Sequence, residues 1–274
     1  MEELLFSLQL VKFGVLAGIL LGISLSLTSP FLILKKNALF PHALTHVLFF
    51  AIIFTTAFSN YISSYLEYPV IICLTLFSVL GILILNKYFK LYEDTATSII
   101  THLALGLALI VAAKTNLYDA RLLSYLFGSL VTVSQKDFYE SIIVLLLSFA
   151  FFYKFYPLWT AQITDKEIPG INFKWANSFY LVIITLQIII GIKLMGILLI
   201  SAFFVFSGSC ALKLASNFKL AIIYTAFLNI LGILGGTLIS VFWDLPFSGS
   251  VVVFMSFYFL FFVVSKFLNN NRRI

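Results

Sequence analysis

The sequence predicts an all-α, polytopic membrane protein of about nine transmembrane helices, N-terminus outside and C-terminus cytoplasmic. Three observations carry this. The 274 residues are 62% hydrophobic and only 10% charged, with mean hydropathy +1.10. A soluble domain carries roughly 45–50% apolar and about 25% charged residues, and even a 300-residue globule leaves about a quarter of its chain surface in water. The composition therefore excludes an ordinary soluble enzyme, a disordered chain and a nucleic-acid-binding module. Next, the apolar residues fall into nine runs long enough to approach the roughly 20 residues a spanning helix needs. Finally, the basic residues between those runs are unevenly shared, so the net charge of +6 reads as topology rather than as affinity for nucleic acid.

The first run covers residues 13–34. Glu2 and Glu3 have the wrong sign for a signal-peptide n-region, so this run is expected to be a retained span. Gly14, Gly18 and Gly22 repeat every four residues on one of its faces, which suits close helix packing. The second run, 43–59, follows Lys35 and Lys36. The third is 69–86. The fourth, 95–113, follows Lys87 and Lys90. A loop at 114–137 with an amphipathic stretch around Arg121 leads to the fifth run, 139–157. A second loop at 157–175 mixes Asp165, Lys166 and Glu167 with Pro169 and Gly170. It is too short for a domain, and is either a partner-docking element or a solvated connector.

The sixth and seventh runs, 177–192 and 194–212, form one apolar stretch broken by Lys193. As a single helix the stretch from 178 to 215 would reach about 57 Å, against a hydrocarbon core of about 30 Å. Two spans joined tightly near Lys193, or one span plus a re-entrant segment, both fit; merging the two runs gives the alternative count of eight. The last runs are 219–243, with Gly232, Gly235 and Gly236, and 247–267. The whole chain, 1–274, reads as one transmembrane domain.

With the C-terminus cytoplasmic, the inside loops hold Lys35, Lys36, Lys87, Lys90, Lys154, Lys166, Lys174, Lys213, Lys219, Lys266, Arg272 and Arg273. The outside loops hold Lys12, Lys114, Arg121, Lys136 and Lys193. That bias fits the positive-inside rule. Cys73 and Cys210 both lie in apolar runs and offer no disulfide framework and no Cys-x-x-Cys motif.

Chemistry is carried by three histidines, His42, His46 and His102, all in or beside predicted spans. Polar groups at membrane depth are costly and point to use. His42 and His46 share a helix face through their i, i+4 spacing. His46 lies about 15 Å past Lys36 and His102 about 18 Å past Lys90, so they reach similar depths. Neutral imidazoles converging there suit Zn²⁺ or another transition metal; otherwise each ring simply bonds a neighbouring carbonyl. No Gly-x-x-x-x-Gly-Lys-Ser/Thr, His-Glu-x-x-His or Gly-x-Ser-x-Gly motif occurs, so any ATP-driven work needs another chain.

Four stretches together resemble the permease subunit of zinc/manganese ABC importers, the ZnuB-type family. Pro41-His42-Ala43-Leu44-Thr45-His46 resembles its Gly-Asp-Ala-Leu-Ser-His element. Leu123-Ser124-Tyr125-Leu126-Phe127-Gly128, with Val133-Ser134 and Asp137, is similar to its Tyr-Leu-Phe-Gly segment and trailing Val-Ser/Thr-x-x-Asp. Met195-Gly196-Ile197-Leu198-Leu199 resembles its Val-Gly-x-Leu-Leu run, and Trp243-Asp244-Leu245-Pro246 with Gly249 its Tyr-Asp-x-Pro-x-Gly element. The chain departs at Pro41, Arg121 and Ser207, and at His42, where the family usually has Asp. Trading a hard oxygen for imidazole favours zinc over manganese.

The resemblance implies a BtuC-like importer permease bundle in the bacterial plasma (inner) membrane. It implies a homodimeric or paired permease, a cytoplasmic ATP-binding subunit and an extracytoplasmic metal-binding protein, with no permanently bound cofactor and with Zn²⁺ or Mn²⁺ as cargo. It places the metal path at His46, His42 and His102, and ATPase coupling at Asp165, Glu167 and Gly170 within 157–175. Two readings of other classes stand beside it: a metal-dependent intramembrane enzyme and an ion-coupled secondary transporter.

Overall fold

The structure is a computed structural model and describes residues 2–115, 127–128, 133–164 and 173–271. Among these every regular element is helical: α1 (Glu2–Ser26), α2 (Ser29–Leu34), α3 (Leu39–Ala57), α4 (Ser64–Phe89), α5 (Glu93–Thr115), α6 (Gln135–Thr164), α7 (Lys174–Ala202), a π-helical turn (Phe203–Ser207), α8 (Gly208–Leu214), α9 (Phe218–Trp243) and α10 (Phe247–Asn271). Among the described residues seven helical stretches are long and apolar enough to cross a membrane, counting Trp175–Leu214 as one, and Val11–Ser26 is a shorter apolar helix. Helices dominate because lipid offers no partner for backbone N–H and C=O groups, and a helix satisfies them internally.

The first predicted run is two helices. The chain breaks at Leu27 and Thr28, and Pro30 sits at the start of α2, where its missing N–H costs nothing. At the C-terminal end of α6 the sequence reading needs correction. Pro157 does not begin a loop; the helix runs on through it to Thr164. The continuation is held by Trp159, which is buried, stacks on Phe31, and donates from Nε1 to the Ala176 carbonyl at 3.2 Å. Of the coupling residues, Asp165, Glu167 and Gly170 lie outside the described residues, as do Arg121 and most of the 114–137 loop.

The long apolar stretch reverses. Gly196 has φ +80° and ψ 166°, a conformation that a residue with a Cβ resists. Beyond it the chain folds back, so that Ile200 packs on Gly191. The first arm is pinned at one end by Lys35 and Asn177, and at the other by Lys193 with Asp137 and Tyr68. The second arm returns to the Lys35 end, where Ser29 Oγ donates to the Phe204 carbonyl at 2.7 Å and lies against Gly208. The turn falls at Gly196, three residues past Lys193, because only the glycine tolerates the required backbone while the lysine is drawn sideways into an ion pair. Gly128, itself at φ +65°, lies directly against the Met195 carbonyl and the Gly196 amide. Gly128 thus covers the irregular backbone at the turn.

The core forms where α1 is clasped by α6, the first arm of α7, and α9. Small residues set the spacing: Gly22 abuts Asn229 and Ile233 of α9, and Gly236 abuts Val251 of α10. Polar groups at the centre are paired. Gln187 is fully buried; its Nε2 donates to the Ser24 carbonyl at 2.8 Å and to Ser148 Oγ at 3.1 Å, and its Oε1 accepts from Thr28 at 2.8 Å. Asn229 Nδ2 donates to the Gly22 carbonyl at 2.8 Å. Cys210 is a buried free thiol and Cys73 an exposed one. α3 and α5 pack closely on each other at one side, with α4 outermost.

Candidate metal pathway

The α3–α5 pair positions the three histidines. α3 begins three residues before His42, and its buried face (Ala43, Leu44, Val47, Leu48) turns inward, so that the i, i+4 pair His42 and His46 sits together on the other side. The two rings meet edge to face at 4.7 Å between centroids. His42 is exposed and His46 half-buried. The Nδ1 atom of His46 is buried and has no hydrogen-bond partner. An orphaned buried nitrogen costs desolvation energy unless something binds it, and an imidazole lone pair is a good transition-metal ligand.

His102 stands on the exposed face of α5. Its Nδ1 lies 2.7 Å from the Ser98 carbonyl, one turn back. A carbonyl only accepts, so Nδ1 carries the proton and the Nε2 lone pair faces outward; such a bond fixes the tautomer of many metal-binding histidines. His102 is near enough to act electrostatically on both other rings. The structure thus brings His42 and His46 into contact and leaves His102 nearby. Among the described residues no three His, Cys, Asp or Glu side chains converge tightly enough to hold an ion. The arrangement offers a two-imidazole foothold on an open face, with a third imidazole in reach, rather than a closed site.

Sequence reasoning missed a second polar cluster, at the Lys193 end of the first α7 arm. Lys193 pairs with Asp137, lies 3.8 Å from Glu140 Oε2, and donates to the Tyr68 hydroxyl at 3.1 Å. It ties α4, α6 and α7 together. Asp137 is held by its own helix start: Ser134 donates to its Oδ2 from the backbone N at 2.8 Å and from Oγ at 2.7 Å. The Val133-Ser134…Asp137 motif is therefore a capping-box arrangement that opens α6 and aims a carboxylate at Lys193. The available signal was Lys193 itself, the one charge in an otherwise apolar stretch.

The profile of the ABC 3 transport family matches residues 7–266. The chain belongs to that family. It is 26% identical over 254 residues to the high-affinity zinc uptake system membrane protein ZnuB of Buchnera aphidicola subsp. Acyrthosiphon pisum, covering 91% of this chain and 95% of the relative. It is 24% identical over 257 residues to the manganese transport system membrane protein MntC of Halalkalibacterium halodurans, covering 92% and 86%. Its fold is that of PsaBC from Streptococcus pneumoniae, solved in complex with Fab, with a TM-score of 0.82 at 19% identity over 95% of this chain and 94% of that one. Membership of the ABC 3 transport family makes the chain a transport protein rather than an enzyme. With seven helical stretches of spanning length, this ABC 3 member is a multi-pass protein of the bacterial plasma membrane.

Proposed function

We propose that the chain is the permease subunit of an ABC importer that carries a divalent transition metal into the cytoplasm, zinc first and manganese second. The end-to-end similarity to zinc- and manganese-system permeases supports the class of cargo. The observation that carries the assignment of the path is the His46 Nδ1 atom, buried beside His42 with no partner of its own. His46 and His42 take the ion, His102 offers the next lone pair, and incomplete coordination lets the ion leave again, unlike a closed structural zinc site.

The exposed α3–α5 face, where His42 and His102 stand, is the side on which a second copy of the chain would complete the path, so the permease works as a homodimer. Counting α1 and the two arms around Gly196 separately gives nine spans, which keeps the N-terminus outside and the C-terminus inside. The 1–274 chain acts as one transmembrane domain. A cytoplasmic ATP-binding subunit supplies the energy and engages residues of the 157–175 region, with Asp165, Glu167 and Gly170 the candidate contacts. An extracytoplasmic metal-binding protein delivers the ion on the other side, over the 114–137 loop.

The test is reconstitution with the ATPase subunit in liposomes and measurement of metal uptake. His46→Ala should abolish ATP-dependent uptake while the protein still purifies as a folded, monodisperse species. Uptake by that variant at the rate of the unaltered protein overturns the role of His46.

A further inference from the structure

A cavity lies apart from the histidines, at the end of the bundle where α2 meets α3. It has a volume of about 110 Å³ and is bounded by Lys35, Asn37, Leu83, Asn86, Glu93 and Asn177, among others. Four transmembrane helices end around it: α3 and α5 begin there, α4 finishes there, and α7 starts there. That is the level at which phospholipid headgroups lie.

The walls carry opposite charges that do not meet. Lys35 Nζ donates to Asn177 Oδ1 at 2.6 Å and rests against the rings of Phe31 and Tyr180, at 4.9 and 5.6 Å from their centroids. It has no carboxylate within ion-pair distance among the described residues. Glu93, exposed at the first turn of α5, faces the same cavity and acts on Lys35 only through space. Asn37 and Asn86 add amides between them. A half-buried cation with neutral partners and an unpaired carboxylate across a small polar cavity present complementary charge to a molecule that carries both signs.

The cavity also opens toward lipid. Leu83 lines it and is 46% exposed, and Leu80 and Ile84 continue that exposed apolar track along α4, the helix least buried in the bundle. Lys36, Lys87 and Lys90 stand around the same end. Basic pockets between helices at a membrane surface are headgroup sites.

We propose that this cavity holds the headgroup of a phospholipid bearing both a phosphate and a primary ammonium, that is, a phosphatidylethanolamine. The phosphate pairs with Lys35 and the neighbouring amides, the ammonium points to Glu93, and the acyl chains follow Leu83, Leu80 and Ile84. A purely anionic headgroup meets repulsion from Glu93. A trimethylated ammonium has no N–H to donate to it. The site is independent of the metal path, so its failure and the failure of the import reading are separately visible.

The experiment is native mass spectrometry of the full-length chain, delipidated in detergent and titrated with phosphatidylethanolamine, phosphatidylglycerol and free phosphoethanolamine. The expected result is one phosphatidylethanolamine retained in preference to phosphatidylglycerol. Lys35→Gln should weaken it about tenfold, the scale of one lost charge-assisted bond. Glu93→Gln, at an exposed position that leaves the core untouched, should erase the preference between the two lipids, and it tests the site even if Lys35→Gln fails to fold. Equal retention in all three proteins overturns the proposal. So does binding of free phosphoethanolamine with no retention of the lipid, which would assign the site to a soluble molecule instead.

Discussion

Lys193 of α7 pairs with Asp137 at the start of α6, and the pair joins two consecutive helices through residues more than fifty positions apart in the chain. Asp137 is buried, whereas the Lys193 side chain is 37% exposed. Removing the lysine leaves Asp137 with no cation and Glu140 with Lys136 alone. Breaking a buried pair costs about 3–5 kcal/mol, and the partial exposure of Lys193 brings that down to about 1–3 kcal/mol. Lys193→Met should lower the unfolding midpoint in detergent, and Lys193→Met with Asp137→Asn should recover most of the loss. A double-mutant cycle with no coupling between the two positions would refute the pairing.

Gly128 and Gly196 make a second testable contact. A Cβ on Gly128 would overlap the Met195 carbonyl and the Gly196 amide, both backbone and unable to swing away. The left-handed φ adds about 1–2 kcal/mol for any residue with a side chain. Gly128→Ala should therefore sharply reduce the yield of monodisperse protein. Gly106→Ala, where a Cβ meets nothing within 4 Å, should leave the elution profile and melting temperature unchanged.

Burial lowers the Lys35 ammonium to about 8 from its ordinary 10.5, partly opposed by the nearby Glu93 carboxylate. The sign follows from proton counting. Between about pH 8 and 10.5 the unfolded chain still binds the Lys35 proton while the folded chain has released it, so this residue makes stability rise with pH there. Below pH 8 both states are protonated and the slope vanishes. The difference in unfolding free energy between the unaltered protein and Lys35→Met should show that slope in lipid-free detergent. A flat difference across the window contradicts the burial of a charged amine.

His42 governs the hardness of the foothold. Under the proposed function, His42→Asp places an oxygen donor and a negative charge beside His46. It should raise manganese uptake relative to zinc by about tenfold, a shift of roughly 1.4 kcal/mol in relative affinity. Competition between the two metals in reconstituted liposomes measures it. An unchanged ratio would separate metal choice from this position.

The membrane-spanning runs were legible because burial in lipid demands long apolar stretches wherever they stand, and composition alone reveals them. The first run was read through its break at Thr28, since local hydropathy does not change where the backbone turns. The α6 helix outlasted its predicted end at Pro157 because the Trp159 contact with Ala176 is tertiary. The i, i+4 contact of His42 and His46 followed from helix geometry. The outward aspect of His102 did not, because its fixed tautomer and exposure depend on how α5 packs on α3. Lys193 was visible as an anomaly, but its partners were not, since they lie on helices distant in sequence.

The reversal at Gly196 also bears on how the protein is made. Two apolar arms meet through a single glycine, so there is no hydrophilic loop for a membrane insertase to pass across the bilayer between them. Arms so joined form a helical hairpin with Lys193 close to its tip. The order of synthesis suits this: the Asp137 carboxylate that receives the lysine is translated first.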